Sequence, residues 1–269
     1  MIATLMIVLL FGGPSQPPNK PAADTKAEAD EASAAATKLV GEYAVRLDVS
    51  SAKPLRLVPE PVQRWTNHLG RRYYGGVYVW THEGRPEVVA SVNTIFTDRR
   101  MIETEFQSLS TGRPVLSHDG KVAWEPSEAG VQFKPVSDGP KPGPTAAARL
   151  QQMRVMAAQF SVVADYGLDK EQKEDLRLLR APVHRYESAA QGVADGGLFA
   201  FTKGTDPDAL LLIEARGKGD DVQWQFAFAR LNGYCALRGT RKDAEVWRVD
   251  RQSNKVNTDP KRPYFVLRK

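Results

Sequence analysis

The sequence predicts an α+β protein, strand-rich, with mainly antiparallel sheets packed around one long helix at about 145–164. Three observations carry this. Most apolar segments alternate with polar residues at period two, as in Tyr43, Val45, Leu47 and Val49 against Glu42, Ala44, Arg46 and Asp48. Short Gly-, Asp- and Pro-bearing turns separate them, which favours antiparallel pairing. Only one long stretch carries a helical stripe.

From the N-terminus, Ile2 to Phe11 is a ten-residue apolar run broken only by Thr4 and followed by Gly12-Gly13-Pro14-Ser15. That length suits the hydrophobic region of a signal peptide, although no Lys or Arg precedes it. The expectation is a signal peptide at 1–13 and an exported protein, periplasmic or extracellular. Residues 14–36, rich in Ala, Pro, Asp and Lys, read as a disordered or partly helical tether. A first strand follows at Glu42–Val49, then Leu55 and Leu57 before Pro59 and Pro61. Gly75–Thr81 is an aromatic strand, turned by His82-Glu83-Gly84-Arg85 into a partner at Glu87–Phe96. Further strands are expected at about Met101–Leu109, Val122–Trp124 and Val131–Val136. Asp138 to Pro144 contains three Pro and two Gly and breaks any element.

Thr145 is then the expected N-cap of the helix, with Leu150, Met153, Ala157, Phe160 and Ala164 on one stripe. Such a stripe packs a core. The second half returns to strands: Leu176–Leu179, Val183–Glu187, Leu198–Thr202, Leu210–Ala215, Val222–Arg230, Tyr234–Leu237 and Ala244–Val249, with turns at Asp195-Gly196-Gly197 and Asp206-Pro207. Leu210 to Ile213 is apolar throughout, so that strand is expected to be buried on both faces. Residues 37–250 therefore read as a single domain of two β units, about 37–137 and 165–250, joined by the Pro/Gly linker and the helix.

The chain has 269 residues, 37 Lys+Arg, 32 Asp+Glu and one Cys. No apolar run reaches the roughly 18 residues that a membrane span needs. A single Cys excludes an internal disulfide and Cys-based metal sites; Cys235 reads as a small buried hydrophobe. The formal excess of +5 lies in Arg251–Lys269, where six basic residues face one acid, so the body is neutral. A nucleic-acid partner is not indicated by that distribution. The basic tail at 251–269 has two readings, a weak anionic or phosphate contact and a final edge strand at Tyr264–Leu267; the second is preferred.

The chemical candidates are sparse. Glu103 and Glu105 share a strand face at roughly 6.6 Å along the chain, the kind of carboxyl pair glycoside hydrolysis uses. His184, on a strand face with Tyr186, could serve as a general base. Together they give the hydrolase reading. No two histidines stand at metal-ligand spacing, and no nucleophile elbow, Walker loop or dinucleotide fingerprint occurs. No cofactor and no metal is expected. Glu214 and Arg216 share a face at the end of the buried strand, as an ion pair closing a core edge or, less simply, an anion clamp. The aromatic set Trp65, Tyr73, Tyr74, Tyr78, Trp80 and Trp124, beside Arg71 and Arg72, has the composition of a binding surface. The alternative is a core face.

Gly75 to Trp80 with Gly84-Arg85-Pro86, Phe106 to Leu109, Arg149 to Arg154, Leu176 to Arg180 with Arg185-Tyr186-Glu187, Gly204 to Pro207 with Leu211 to Arg216, and Val246-Trp247 resemble a family of uncharacterised exported proteins of planctomycete-type bacteria. The likeness spans roughly residues 61–249. It implies one co-inherited unit and export, with no assigned activity and no catalytic residue to carry across. Thr104 and Gln107 stand where histidines are associated with that family's Phe106 block, which argues further against a His-based metal site.

The leading functional expectation is an exported, non-catalytic protein that binds a small ligand or an envelope partner through Arg71, Arg72, Tyr78, Trp80 and Trp124. The hydrolase of Glu103, Glu105 and His184 and the anion-binding tail are the alternatives.

Overall fold

The computed structural model describes residues 22–48, 50, 53–67, 72–97, 100–167 and 172–268. The expected signal peptide and the first part of the tether, 14–21, lie outside the described residues, as does Arg71. In chain order the elements are α1 (Ala22–Gly41), β1 (Tyr43–Arg46), β2 (Arg56–Leu57), β3 (Gln63–Asn67), β4 (Arg72–His82), β5 (Arg85–Phe96), β6 (Arg100–Ser108), β7 (Val115–His118), β8 (Lys121–Trp124) and β9 (Lys134–Pro135). There follow α2 (Ala146–Ala157), β10 (Phe160–Asp165), β11 (Lys173–Leu178), β12 (His184–Ser188), β13 (Val193–Lys203), β14 (Asp206–Arg216), β15 (Gln223–Arg230), β16 (Ala236–Arg241), β17 (Ala244–Val249), α3 (Asn254–Asn257) and β18 (Tyr264–Arg268).

A six-stranded sheet runs β18-β6-β5-β4-β2, with β3 also on β4, and every pairing in it is antiparallel. The β4–β5 hairpin turns at Glu83 and Gly84, both at positive φ (50° and 90°), the conformation a tight two-residue turn demands. Alternation gives this sheet two buried faces. Tyr78, Trp80, Val88, Ala90, Val92 and Phe106 face Ala36, Leu39 and Val40 of α1 and Tyr43, Val45, Leu116 and Trp124 of a small β1-β7-β8 sheet. Val77, Val79 and Val89 face the other way, onto Leu198, Ala200, Leu210, Leu212, Ala227 and Ala229.

Those last residues belong to a nine-stranded sheet, β17-β16-β10-β11-β13-β14-β15-β9 with β12 also on β13. Its far face holds a third core, in which Met153, Met156 and Ala157 of α2 pack on Phe199, Phe201, Leu211, Ile213, Trp224, Phe226 and Phe228. Leu210 to Ile213 is thus buried on both faces, as its unbroken apolarity requires. The sheet curls until its ends meet: Phe228 near one end stacks on Trp247 at the other, centroids 5.1 Å apart and planes 11° apart. Lys134 Nζ donates across the same gap to the Val246 carbonyl at 2.6 Å.

Two expectations need correction. The one long helix expected at 145–164 is not formed: among the described residues the α-helices have 20, 12 and 4 residues, and the longest is α1. Thr145 caps α2, its hydroxyl accepting from the Ala148 N–H, but α2 ends at Ala157 and Phe160–Asp165 is a strand between β11 and β16. Phe160, Val162 and Ala164 alternate with Ser161, Val163 and Asp165, and β-branched residues in a register open on both sides favour the ladder. The stripe through Phe160 and Ala164 fits both periods. Secondly, neither expected turn is one: Asp195-Gly196-Gly197 lies inside β13 and Asp206-Pro207 opens β14, the reversal between them falling at Gly204-Thr205. A Cβ on Gly196 would come within 2.5 Å of the Tyr186 ring, so the glycine marks a close approach, not a reversal.

Candidate functional site

The aromatic residues singled out in the sequence divide once folded. Trp80 and Trp124 are core, at 1% and 0% exposure. Trp80 lies on the face that α1 and the β1-β7-β8 sheet cover, and Trp124 packs onto that face from β8, its indole donating to the Arg262 carbonyl at 2.7 Å. They offer a partner no surface, because the strand face they occupy is already covered from within the chain. Arg72 is also engaged internally: its Nε meets Glu28 of α1 at 2.9 Å, and the Tyr74 hydroxyl donates to the same carboxylate at 3.1 Å.

Tyr78 is buried too, but it borders a cavity of about 200 Å³ between α1 and β4. The cavity follows from composition. α1 lays Ala29, Ala32, Ser33 and Ala36 towards the sheet, and on the facing side of β4 stands Gly76, between Tyr74 and Tyr78; Gly75 points to the other face, where the Trp65 ring covers it. Small side chains facing a glycine leave space that larger ones would fill. Val92, Tyr74 and Tyr78 wall the interior, and the exposed Arg64, Thr66 and Thr205 form the rim. Thr205, at the tip of the β13–β14 hairpin, is fastened to β3: its Oγ1 accepts from the Thr66 N–H at 3.1 Å and donates to the Thr66 carbonyl at 2.9 Å. Gln63 Nε2 donates to the Thr205 carbonyl at 2.9 Å. The Tyr78 hydroxyl lies 3.2 Å from Thr37 Oγ1, and burial pushes its pKa upward, so the phenol stays neutral. The cavity therefore has an apolar interior, phenol hydroxyls in its walls and, at the rim, Arg64 paired with Glu60 at 2.9 Å. A dry cavity of about 150 Å³ already accommodates a benzene-sized ring.

The candidate catalytic residues do not converge. Glu103 and Glu105 do share a face of β6, but it is turned inward, onto the loop between β15 and β16. Arg268 Nε reaches Glu103 at 2.6 Å, and Tyr264 and Asn93 both donate to Glu105. Burial pushes the Glu105 carboxyl up to about 8. His184 stacks on Tyr186 at 5.8 Å, its Nε2 is buried without a partner, and burial alone drives its pKa down. No hydrogen bond joins it to either acid. Among the described residues no group of three His, Cys, Asp or Glu side chains could hold a metal, and no helix is long and apolar enough to cross a membrane. Cys235 is buried at 0% exposure, with burial raising its thiol to about 12.

The expected Glu214–Arg216 pair is present at 2.5 Å, as part of a larger buried network. Arg85 of β5 reaches across to Glu214 at 3.0 Å and to Glu87 at 3.0 Å, and the Tyr186 hydroxyl donates to Glu214 at 2.7 Å. Arg85 and Glu214 are 2% and 0% exposed at their side chains, so each charge depends on the others for its solvation. This network joins the two large sheets and is occupied with its own partners. Sequence reasoning missed Ala29, Ala32, Gly76, Arg64 and Thr205. The available signal was small-residue spacing at 29, 32 and 36 in a helix-forming stretch, together with Gly75-Gly76 inside a strand. No family model, curated protein or solved structure matches the chain, and what the cavity can hold follows from its own geometry.

Proposed function

We propose that the chain is an exported, non-catalytic binding protein whose cavity under α1 takes a small apolar or aromatic group, with a polar end directed to the Arg64 rim. The observation that carries this is the half-open space of about 200 Å³ between the small-residue face of α1 and the Gly75-Gly76 segment of β4. Of the residues expected to bind, Tyr78 borders this cavity, beside Tyr74 of the same aromatic set, while Arg64 was not among them. Trp80 and Trp124 act by packing the layer beneath. Export rests on the apolar run at 2–11, outside the described residues.

The test is a thermal-shift and calorimetric titration with p-cresol, a ring with one polar end. Saturable binding should stabilise the fold by about 2.7 kcal/mol at a hundredfold excess over Kd. Ala32→Leu, which fills the cavity from the helix side, should abolish the shift while the unliganded protein keeps a cooperative transition. Wild-type protein that shows no saturable shift, or an Ala32→Leu variant that binds as tightly, would refute the proposal.

A further inference from the structure

A second site lies around Arg230, in the nine-stranded sheet beside the C-terminal segment. This residue ends β15 and is 5% exposed. Its Nε, Nη1 and Nη2 donate to the carbonyls of Asn232, Asp250 and Cys235, each at 2.9 Å, and its guanidinium lies 5.4 Å from the Tyr264 ring centroid. A guanidinium carries five N–H donors, so this arrangement leaves two of them over. No ion pair joins Arg230 to a carboxylate among the described residues. Arg85 is the instructive contrast, equally buried but neutralised directly by Glu87 and Glu214. Burying a guanidinium costs several kcal/mol unless an anion compensates. Carbonyl dipoles supply part of that compensation; the Glu105 carboxyl, hydrogen-bonded to Tyr264, is engaged by that hydroxyl and by Asn93.

Arg230 also lies in the wall of a cleft of about 530 Å³, with Tyr264 and Gln107 beside it and Arg251 and Arg262 at its exposed margin. The C-terminal segment arrives there because β18 pairs with β6 and α3 precedes it. Two of the segment's other cations are spent on the body: Lys261 meets Glu125 and Arg268 meets Glu103, each at 2.6 Å. Arg251 makes only a long contact, 3.5 Å, to the Gly167 carbonyl, and Arg262 stands 3.9 Å from Glu128. Asp250 and Glu128 are the acids of the lining, against three arginines.

We propose that this cleft binds a small oxyanion-bearing ligand, with Arg230 as the buried anchor and Arg251 and Arg262 closing on the same oxyanion from the rim. Guanidinium forks suit both phosphate and carboxylate oxygens, so the shared chemistry is the oxyanion.

The test titrates full-length protein with inorganic phosphate and, separately, with acetate, holding ionic strength constant with chloride, and reads binding by calorimetry and thermal shift. Saturable binding of phosphate, acetate or both above the chloride control is expected, and the tighter of the two names the oxyanion class. An Arg251→Gln/Arg262→Gln double variant should keep its fold and lose about tenfold or more in affinity, since charge-assisted bonds are removed. Arg230→Gln should abolish binding; if that variant fails to fold, the rim variant still decides. No saturable effect of either anion beyond chloride, or unchanged affinity in the rim variant, overturns the proposal.

Discussion

Glu105→Gln gives the sharpest expectation for the seam between the two large sheets. Glu105 lies on β6, buried, where Tyr264 donates to one carboxyl oxygen and Asn93 donates to the other at 3.1 Å. Those donors favour the anion, but desolvation is the larger influence and lifts the pKa from 4.5 to about 8. A carboxyl raised in this way binds its proton more tightly in the folded chain than in the unfolded one. Its contribution to stability is complete below about 4.5 and is lost as pH climbs towards 8. At about 1.36 kcal/mol per pH unit, the interval between 4.5 and about 8 caps the loss at about 5 kcal/mol. Gln abolishes the titration. It also turns an amide N–H₂ towards one of the two donors, which costs about 1–3 kcal/mol, equally at every pH. The slope, not the offset, is therefore what urea unfolding of both proteins between about pH 5 and pH 8 should read. Wild type should lose stability relative to the variant as pH rises. A third of the cap, about 1.5 kcal/mol, corresponds to roughly 3–6 °C in Tm for a chain of this size. Asp206, raised to about 9, and Asp208, also raised, remain in the variant, so its own curve should still fall, less steeply. A stability difference that stays flat across this range, or a wild type that gains with pH, would show that Tyr264 and Asn93 hold an ionised carboxylate and would refute the reasoning.

Trp80→Ala should act on the fold. Trp80 is 1% exposed in the layer under α1, and deleting such a side chain costs about 3–5 kcal/mol. Denaturant midpoints will read that directly, and a change below about 1 kcal/mol would contradict its role as core. Gly75→Ala should cost about 1–3 kcal/mol or more through overpacking, because its Cβ would stand 2.0 Å from the Trp65 ring. The penalty should shrink when Trp65 is first replaced by Ala, and a double-mutant cycle with no coupling would dismiss the clash as its cause.

How far the sequence reached is clearest from single elements. Period two located β1, β4 and β15, because a strand whose faces meet different surroundings writes its pattern into neighbouring residues. Continuous apolarity at Leu210–Ile213 announced a strand buried on both sides for the same local reason. Thr145 as N-cap, the Glu83-Gly84 reversal, the Glu214–Arg216 pair and Tyr264–Leu267 as an edge strand were legible too, since each depends on residues close in the chain. The stripe from Leu150 to Ala164 was not, since Phe160 and Ala164, four apart, satisfy both a helix and a strand. Only a partner on either side, β11 and β16, chose between them.

The same division separates composition from site. The amino-acid order determined that the protein is built of antiparallel strands and that Cys235 is a small buried thiol, while it left Tyr78, Trp80 and Trp124 open between a binding surface and a core face. It did not determine which ring would border empty space. That was decided when the alanine face of α1 settled over Gly76 and its neighbours on β4, two segments more than thirty residues apart whose joint volume neither one encodes. The tertiary structure likewise decided that Glu103 and Glu105 face the second sheet and that Arg230 is buried without a carboxylate. Burial and charge compensation are properties of what comes together in space, and local sequence fixes only what each residue brings to the meeting.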